Sequence, residues 1–226
     1  MRRGSIAWLM VALVACVAPE ARPTTTPRPV ASVPPTTVTT AAGDGNHQIV
    51  AEPHPELRQE LLEMMVEDQA VATGIAPPGD DRTANELFAA LDSVDAANAV
   101  RMEEILEEYG WPRWSLVEED GAEAAWVLVQ HADMNLELQK RGLSLLEAAV
   151  AANDASPSDL AYLIDRVRVA EAKPQVYGTQ VSVGEDGTVT PRTPIEAEDE
   201  VDTRRAAVGL GPLEKYYAEF EAPADD

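Results

Sequence analysis

From residue 55 onward the apolar positions recur at the three- and four-residue spacing of helices that bury one face. Leu57, Leu61, Leu62, Met65 and Val66 mark the first. Pro55 suits its opening turn, and Gly74 with Pro77-Pro78 suits its end. A second stretch runs from about residue 83 to 109 on Leu87, Leu91, Val94, Met102, Ile105, Leu106 and Tyr109. Gly110-Trp111-Pro112 stops it, with Gly110 suited to the left-handed cap. Ser115-Leu116-Val117-Glu118 reads as a capping box opening a third helix that carries Ala125, Trp126, Val129 and Ala132. A fourth spans about 135–152 on Leu136, Leu143, Leu146, Ala149 and Val150. The fifth starts at Ser156-Pro157 and buries Leu160, Leu163, Ile164 and Val167.

The period then drops from near 3.6 to two. Residues 175–183 alternate, Gly184-Glu185-Asp186-Gly187 turns, and 188–192 returns, which predicts a β-hairpin at about 175–192. A lone hairpin is marginal in water, so it has to pack on the helices. Two short helices, about 197–208 and 212–220, finish the chain. The expected fold class is mainly α: a compact multi-helix domain over residues 53–226 with one small β-hairpin near its C-terminal end.

The first fifty residues obey another rule. Met1-Arg2-Arg3 is basic, Ile6 to Val14 is an apolar run, and Leu13-Val14-Ala15-Cys16 follows. These are the parts of a secretory signal peptide, placed at residues 1–15. The run is short of the roughly 20 apolar residues that a bilayer span takes. Its last four residues resemble the lipobox of bacterial lipoproteins, whose cysteine is lipidated and becomes the mature N-terminus. Cys16 is the only cysteine in the chain, so it has no disulfide partner. A free thiol in an oxidising compartment is a liability that a thioether removes. The alternative is a plain secreted protein with an incidental cysteine near the cut. Residues 16–52 are rich in Pro and Thr and carry no period, as expected of a disordered, lipid-anchored tether. Fully extended at about 3.1 Å per residue, its Pro/Thr part would hold a domain roughly 80 Å from the membrane. It can be bare or O-glycosylated.

The chain has 17 Lys and Arg against 40 Asp and Glu, a net charge of −23. Removing the leader takes away Arg2 and Arg3, leaving 15 against 40, or −25. That acidity argues against nucleic acid or an anionic membrane surface as a partner. The expected membrane contact is the lipid at Cys16. The sequence shows no nucleophile elbow, glycine-rich phosphate loop, dinucleotide fingerprint or HExxH helix. Glu103-Glu104 and Glu107-Glu108 sit on a solvated helix face. His47 and His54 fall in the joint before the first helix, so no zinc-type cluster is legible, and neither a metal nor a cofactor is expected.

From about Met102 onward, several segments carry a resemblance. They are Gly110-Trp111-Pro112, Gln130-His131-Ala132-Asp133 and the run Leu160-Ala161-Tyr162-Leu163-Ile164-Asp165-Arg166-Val167. Lys173-Pro174-Gln175-Val176-Tyr177-Gly178-Thr179-Gln180 and Val201-Asp202-Thr203-Arg204-Arg205-Ala206 follow, ahead of Val208-Gly209-Leu210. In this order they are similar to the bacterial family called domain of unknown function 6624. The resemblance covers a little over half of the chain and implies no activity.

The polar residues inside these segments are the candidates for chemistry. His131 ends the third helix, where the dipole favours an imidazolium. Asp133 lies two positions on and would share its face only if the helix ended between them. Tyr162, Asp165 and Arg166 fall at i, i+3 and i+4 of the fifth helix and share one face. In a strand, Gln175, Tyr177 and Thr179 point one way, and Gln180 joins them only if Gly178 marks a bulge. Arg205 sits in an apolar stripe with Val201 and Val208, which calls for a carboxylate partner; Asp165 is the candidate. The set either pins the hairpin to the helices or lines a pocket, with Arg166 or Arg205 holding an anion and His131 as acid–base.

The leading functional expectation is a lipoprotein of the bacterial cell envelope, facing outside the cytoplasm, that binds an envelope protein or a small ligand. An envelope hydrolase using His131 and Asp165 is the alternative. A purely structural envelope protein is the third reading.

Overall fold

In the computed structural model, which describes residues 53–72, 84–184 and 186–220, the helices expected from the periodicity are present in order. They are α1 (Pro55–Ala72), α2 (Ala84–Glu108), α3 (Trp114–His131), α4 (Leu136–Ala151) and α5 (Pro157–Ala170). Strands β1 (Val181–Val183) and β2 (Val189–Pro191) follow. A 3-10 turn (Glu198–Glu200), α6 (Val201–Ala207) and α7 (Leu213–Ala218) complete a mainly helical fold with one small hairpin. The leader, the tether and the Gly74 and Pro77-Pro78 stop lie outside the described residues. None of the described helices is long and apolar enough to cross a membrane.

Several boundaries follow from single side chains. Asn135 caps α4 by accepting from Leu138 N at 3.1 Å, and Ser156 caps α5 by accepting from Asp159 N at 3.2 Å, with Pro157 behind it. Gly110, at φ 71°, closes α2 as its position required. His54 does not belong to a loose joint. Its Nδ1 accepts from Leu57 N at 3.1 Å, which caps α1, and its ring meets Tyr109 edge-on at 5.2 Å.

α1 packs chiefly on α3, and α2, α4 and α5 close around the pair. The main core is built from Leu57, Leu61, Met102, Ile105, Leu106, Val117, Leu128, Leu138, Leu146 and Leu163, all buried. A second, smaller core of Val181, Val201, Leu213 and Tyr216 ties β1, α6 and α7 together.

The capping box does not form. Ser115 N donates to Asp154 Oδ1 at 2.8 Å and Ser115 Oγ donates to Oδ2, so the turn between α4 and α5 has taken the hydroxyl meant for the cap. α3 therefore begins at Trp114 and breaks at Glu118, where φ is 61° and ψ 179°. Beyond the break, Asp120 accepts from Gly121 N at 2.8 Å and receives Arg58 of α1 through Nε at 2.7 Å. The hairpin is also shorter than the alternation implied. β1 and β2 pair antiparallel over three residues each, Val181 opposite Pro191 and Val183 opposite Val189. Residues 175–180 form no strand; a parallel bridge between Gln175 and Ile195 is the isolated ladder pairing they make among the described residues.

Glu118 occupies a backbone region that glycine enters freely and other residues enter at a cost of about 1–3 kcal/mol. Its side chain is exposed and lies 3.5 Å from Arg58, which keeps Asp120 as its stronger partner. Glu118→Gly is therefore expected to stabilise the domain by about 1 kcal/mol. A rise in the urea midpoint at unchanged slope would confirm it, and a fall would show that the Glu118 side chain carries more than the strain it causes.

Candidate functional site

Asp165 of α5 has no exposed surface. Val176 N donates to its Oδ1 at 2.6 Å; Tyr177 N at 3.1 Å, Thr179 N at 2.9 Å and Thr179 Oγ1 at 3.0 Å all donate to Oδ2. Amides spent on this carboxylate cannot enter a strand ladder, which is why residues 175–180 wrap instead of alternating. The wrap reverses at Gly178, φ 67°, where a Cβ would stand 2.7 Å from Ile195 and 2.8 Å from Leu213. Burial pushes the Asp165 carboxyl above its ordinary value, and the four donors pull against that.

Arg205 does not pair with Asp165. Its Nε donates to Gly211 O at 2.6 Å and its Nη1 to Tyr177 O at 2.8 Å, and its guanidinium lies over the Tyr216 ring at 4.9 Å. Carbonyls and a π face, not the carboxylate expected from the apolar stripe, satisfy this cation. Tyr162 stands edge-on to both Trp126 and Tyr216, and Tyr216 donates its hydroxyl proton to Thr179 O at 2.8 Å. Gln175 holds the same loop: its Nε2 donates to Gln180 O at 2.9 Å and its Oε1 accepts from Gln180 N at 2.8 Å. Tyr177 contributes backbone N and O to this set.

Arg166 leads elsewhere. It grips Asp133 with Nε at 2.8 Å and Nη2 at 2.7 Å, a bidentate pair, while its Nη1 donates to Gln180 Oε1 at 3.4 Å. Gln139 Nε2 also reaches Asp133 Oδ1 at 3.2 Å, and it donates to Gln130 O at 3.1 Å. α3 does end at His131, so Asp133 leaves the helix face and turns to α5.

His131 finds a carboxylate that the motifs did not suggest. Its Nδ1 lies 2.8 and 3.0 Å from the two oxygens of Asp68, a residue of α1 with no exposed surface. Asp95 of α2 is the third member. One ligand atom from each of Asp68, Asp95 and His131 lies within 4.8 Å of the others. Asp95 Oδ1 is buried and has no hydrogen-bond partner among the described residues, and the same holds for Nδ2 of Asn98, one turn further along α2. Desolvation, with the charges of Asp68, Asp133 and Asp92 adding to it and that of His131 opposing it, pushes Asp95 up to about 6.

The polar residues thus fall into two groups. Asp165, Gln175, Tyr177, Thr179, Arg205 and Tyr216 hold the wrapped loop. Asp68, Asp95 and His131 gather where α1, α2 and the end of α3 meet. Asp133, Arg166, Gln180 and Thr179 run between the groups as a chain of hydrogen bonds.

The model of a family of unknown function, DUF6624, matches residues 55–224. The chain belongs to the DUF6624 family. No curated protein and no solved structure matches the chain. The DUF6624 span begins with α1, well ahead of the motifs that start at residue 102. The helices that supply Asp68 and Asp95 are therefore part of the family's domain.

Two predictions follow from these groups. Asp165→Asn puts an amide where four donors converge and leaves at least one buried donor unmet, so the unfolding free energy should drop by about 3 kcal/mol. An unchanged urea midpoint would mean the carboxylate is dispensable to the loop. For Asp95 the sign runs the other way. An unfolded aspartate titrates at about 3.9. Below that both states are protonated, and as pH rises toward 6 the folded state has to ionise a carboxyl that resists it. In metal-free buffer, Asp95→Asn should match wild type near pH 4 and become more stable by about 1 kcal/mol above pH 6. A gap that closes with rising pH would reverse the assignment.

Proposed function

We propose that this DUF6624 protein is a lipid-anchored domain of the bacterial cell envelope, facing outside the cytoplasm, that binds a small polar ligand at the His131 end of α3. The observation that carries the binding role is the contrast between the two polar groups. Around Asp165 each carboxylate oxygen meets donors, as a structural network requires. Around Asp95 a carboxylate oxygen and a neighbouring amide are buried without partners among the described residues, beside a second carboxylate. A cluster kept at a cost to stability is the usual mark of a site. The lipid anchor rests on the basic start, the apolar run and Leu13-Val14-Ala15-Cys16.

The hydrolase reading built on His131 and Asp165 draws less support. Asp165 spends both oxygens on the loop, and the carboxylate that orients His131 is Asp68.

Anchoring is tested by fractionation. The wild-type chain should sediment with membranes and carry a diacylglycerol-sized mass at Cys16, and Cys16→Ser should release it to the soluble fraction. A membrane-bound Cys16→Ser chain would overturn the anchor. Binding is tested by thermal unfolding against a panel of small polar compounds and ions. A ligand at a hundred times its Kd stabilises by about 2.7 kcal/mol. At least one member should stabilise wild type and leave His131→Ala unmoved. A panel without a hit, combined with Asp95→Asn being less stable than wild type, would return the cluster to a structural role.

A further inference from the structure

We infer that Asp68, Asp95 and His131 form a binding site for a divalent transition-metal ion, an inference that rests on reading this end of α3 as a ligand site. The three residues come from three different helices, α1, α2 and α3, so the scaffold fixes them more firmly than a loop would. Their candidate donor atoms already lie within 4.8 Å of one another. Ligands sharing one ion at about 2.0–2.2 Å sit roughly 3–3.5 Å apart, so a contraction of about 1 Å completes the shell. The Asp68 side chain is fully buried and that of His131 is 9 % exposed, which keeps bulk water from competing for the ion.

Two buried atoms without partners among the described residues, one of them in the donor set, point to an occupant. A histidine–carboxylate pair accounts for Asp68 and His131 and leaves Asp95 Oδ1 buried with no partner among the described residues. Asn98, i+3 from Asp95 and 7 % exposed, leaves its Nδ2 donor unmet among the described residues, which calls for an acceptor such as a further ligand on the ion and not for the ion itself. The charge balance points the same way. Asp68 and Asp95 are two carboxylates beside one imidazole, while Asp133 is paired with Arg166. A dication offsets this excess, whereas a proton on His131 offsets half as much.

The donor chemistry selects the class of ion. Imidazole nitrogen favours zinc, iron, nickel or copper, and carboxylate oxygen favours manganese, magnesium or calcium. One nitrogen with two carboxylates fits Zn²⁺ or a neighbouring first-row ion and disfavours Ca²⁺, which takes six to eight oxygens. Three protein ligands leave a coordination position for water or a small ligand, which is how the ion would serve the binding role.

The test uses the untagged lipidated chain in detergent, in which Cys16 carries no free thiol to compete, stripped with EDTA and titrated calorimetrically with Zn²⁺. One ion per chain should bind, and Ca²⁺ should bind at least roughly tenfold more weakly. Asp95→Asn and His131→Ala should each weaken Zn²⁺ by at least about tenfold, as even outer-shell changes do at metal sites. Glu107→Gln, an exposed acidic control on α2, should leave it unchanged. Asp95→Asn keeps the shape of the side chain, so it stays informative if His131→Ala fails to fold. No binding at about 1 mM Zn²⁺, or equal binding by the three variants, would overturn the site and leave a proton or a buried water at the cluster. If Zn²⁺ fails while another panel compound binds in a His131-dependent way, the metal inference falls and the ligand site stands. If nothing binds and Asp95→Asn is destabilising, both fall.

Discussion

A carboxylate with no exposed surface, Asp165, meets backbone amides in place of a cation. Burying a charge on those terms costs free energy unless most of its lone pairs are filled, and four donors from residues 176–179 fill them. The requirement dictates the shape of residues 176–179, and that shape dictates the rest. Gly178 has to turn with φ 67° for Thr179 to return to the carboxylate. The carbonyls left facing outward, Tyr177 O and Thr179 O, then become acceptors for Arg205 and Tyr216. α6 and α7 are short helices with little core of their own, and they are held to the domain through a loop that a single side chain organised.

The same principle separates the second polar group from the first. Asp165 is flanked by a loop whose amides are free to converge. Asp68 and Asp95 sit between helices, where main-chain amides are already committed to the helical ladder and cannot turn toward a side chain. Inside a helical bundle, buried carboxylates must be met by other side chains, by water or by an ion. Asp68 is met by His131 and by Gln69 Nε2 at 2.9 Å, while one oxygen of Asp95 is not met among the described residues. The geometry of the secondary structure, more than the identity of the residues, makes one group a pin and the other a site.

How legible this was depends on the range of the interaction. Helix positions were readable because capping and apolar spacing are local: Asn135, Ser156-Pro157 and Gly110 act within one turn of where they stand. The capping box at Ser115 was misleading because Asp154, 39 residues away, outcompeted it. The alternation of 175–183 suggests a strand because side-chain polarity says nothing about amides claimed by a residue 11 to 14 positions upstream. Arg205 was rightly read as buried but assigned the wrong partner, since carbonyl acceptors leave no trace in sequence. Asp68 and Asp95 did leave a trace. The buried stripe of α1 runs Leu57, Leu61, Asp68 and that of α2 runs Leu91, Asn98, Met102, Ile105 with half-buried Asp95 on the same face, so polar residues stand at positions the helical period reserves for apolar ones.

The strong acidity of the chain sharpens the distinction between loose and built cation binding. A net charge of −23 raises the concentration of any cation around the surface, and that effect is diffuse and screened within about 10 Å at 0.1 M salt. It does not depend on which carboxylate is removed. The meeting point of α1, α2 and α3 differs in that buried Asp68 is paired with an imidazole and a buried oxygen of Asp95 lies beside them, so its preference is set by ligand chemistry instead of by net charge. Sensitivity to single residues, with indifference to moderate salt, is the signature that separates the two. It also explains why a surface so rich in acidic groups could conceal its one histidine-bearing cluster among the described residues: in sequence, two more aspartates among forty acidic residues attract no notice until the helices bring them to His131.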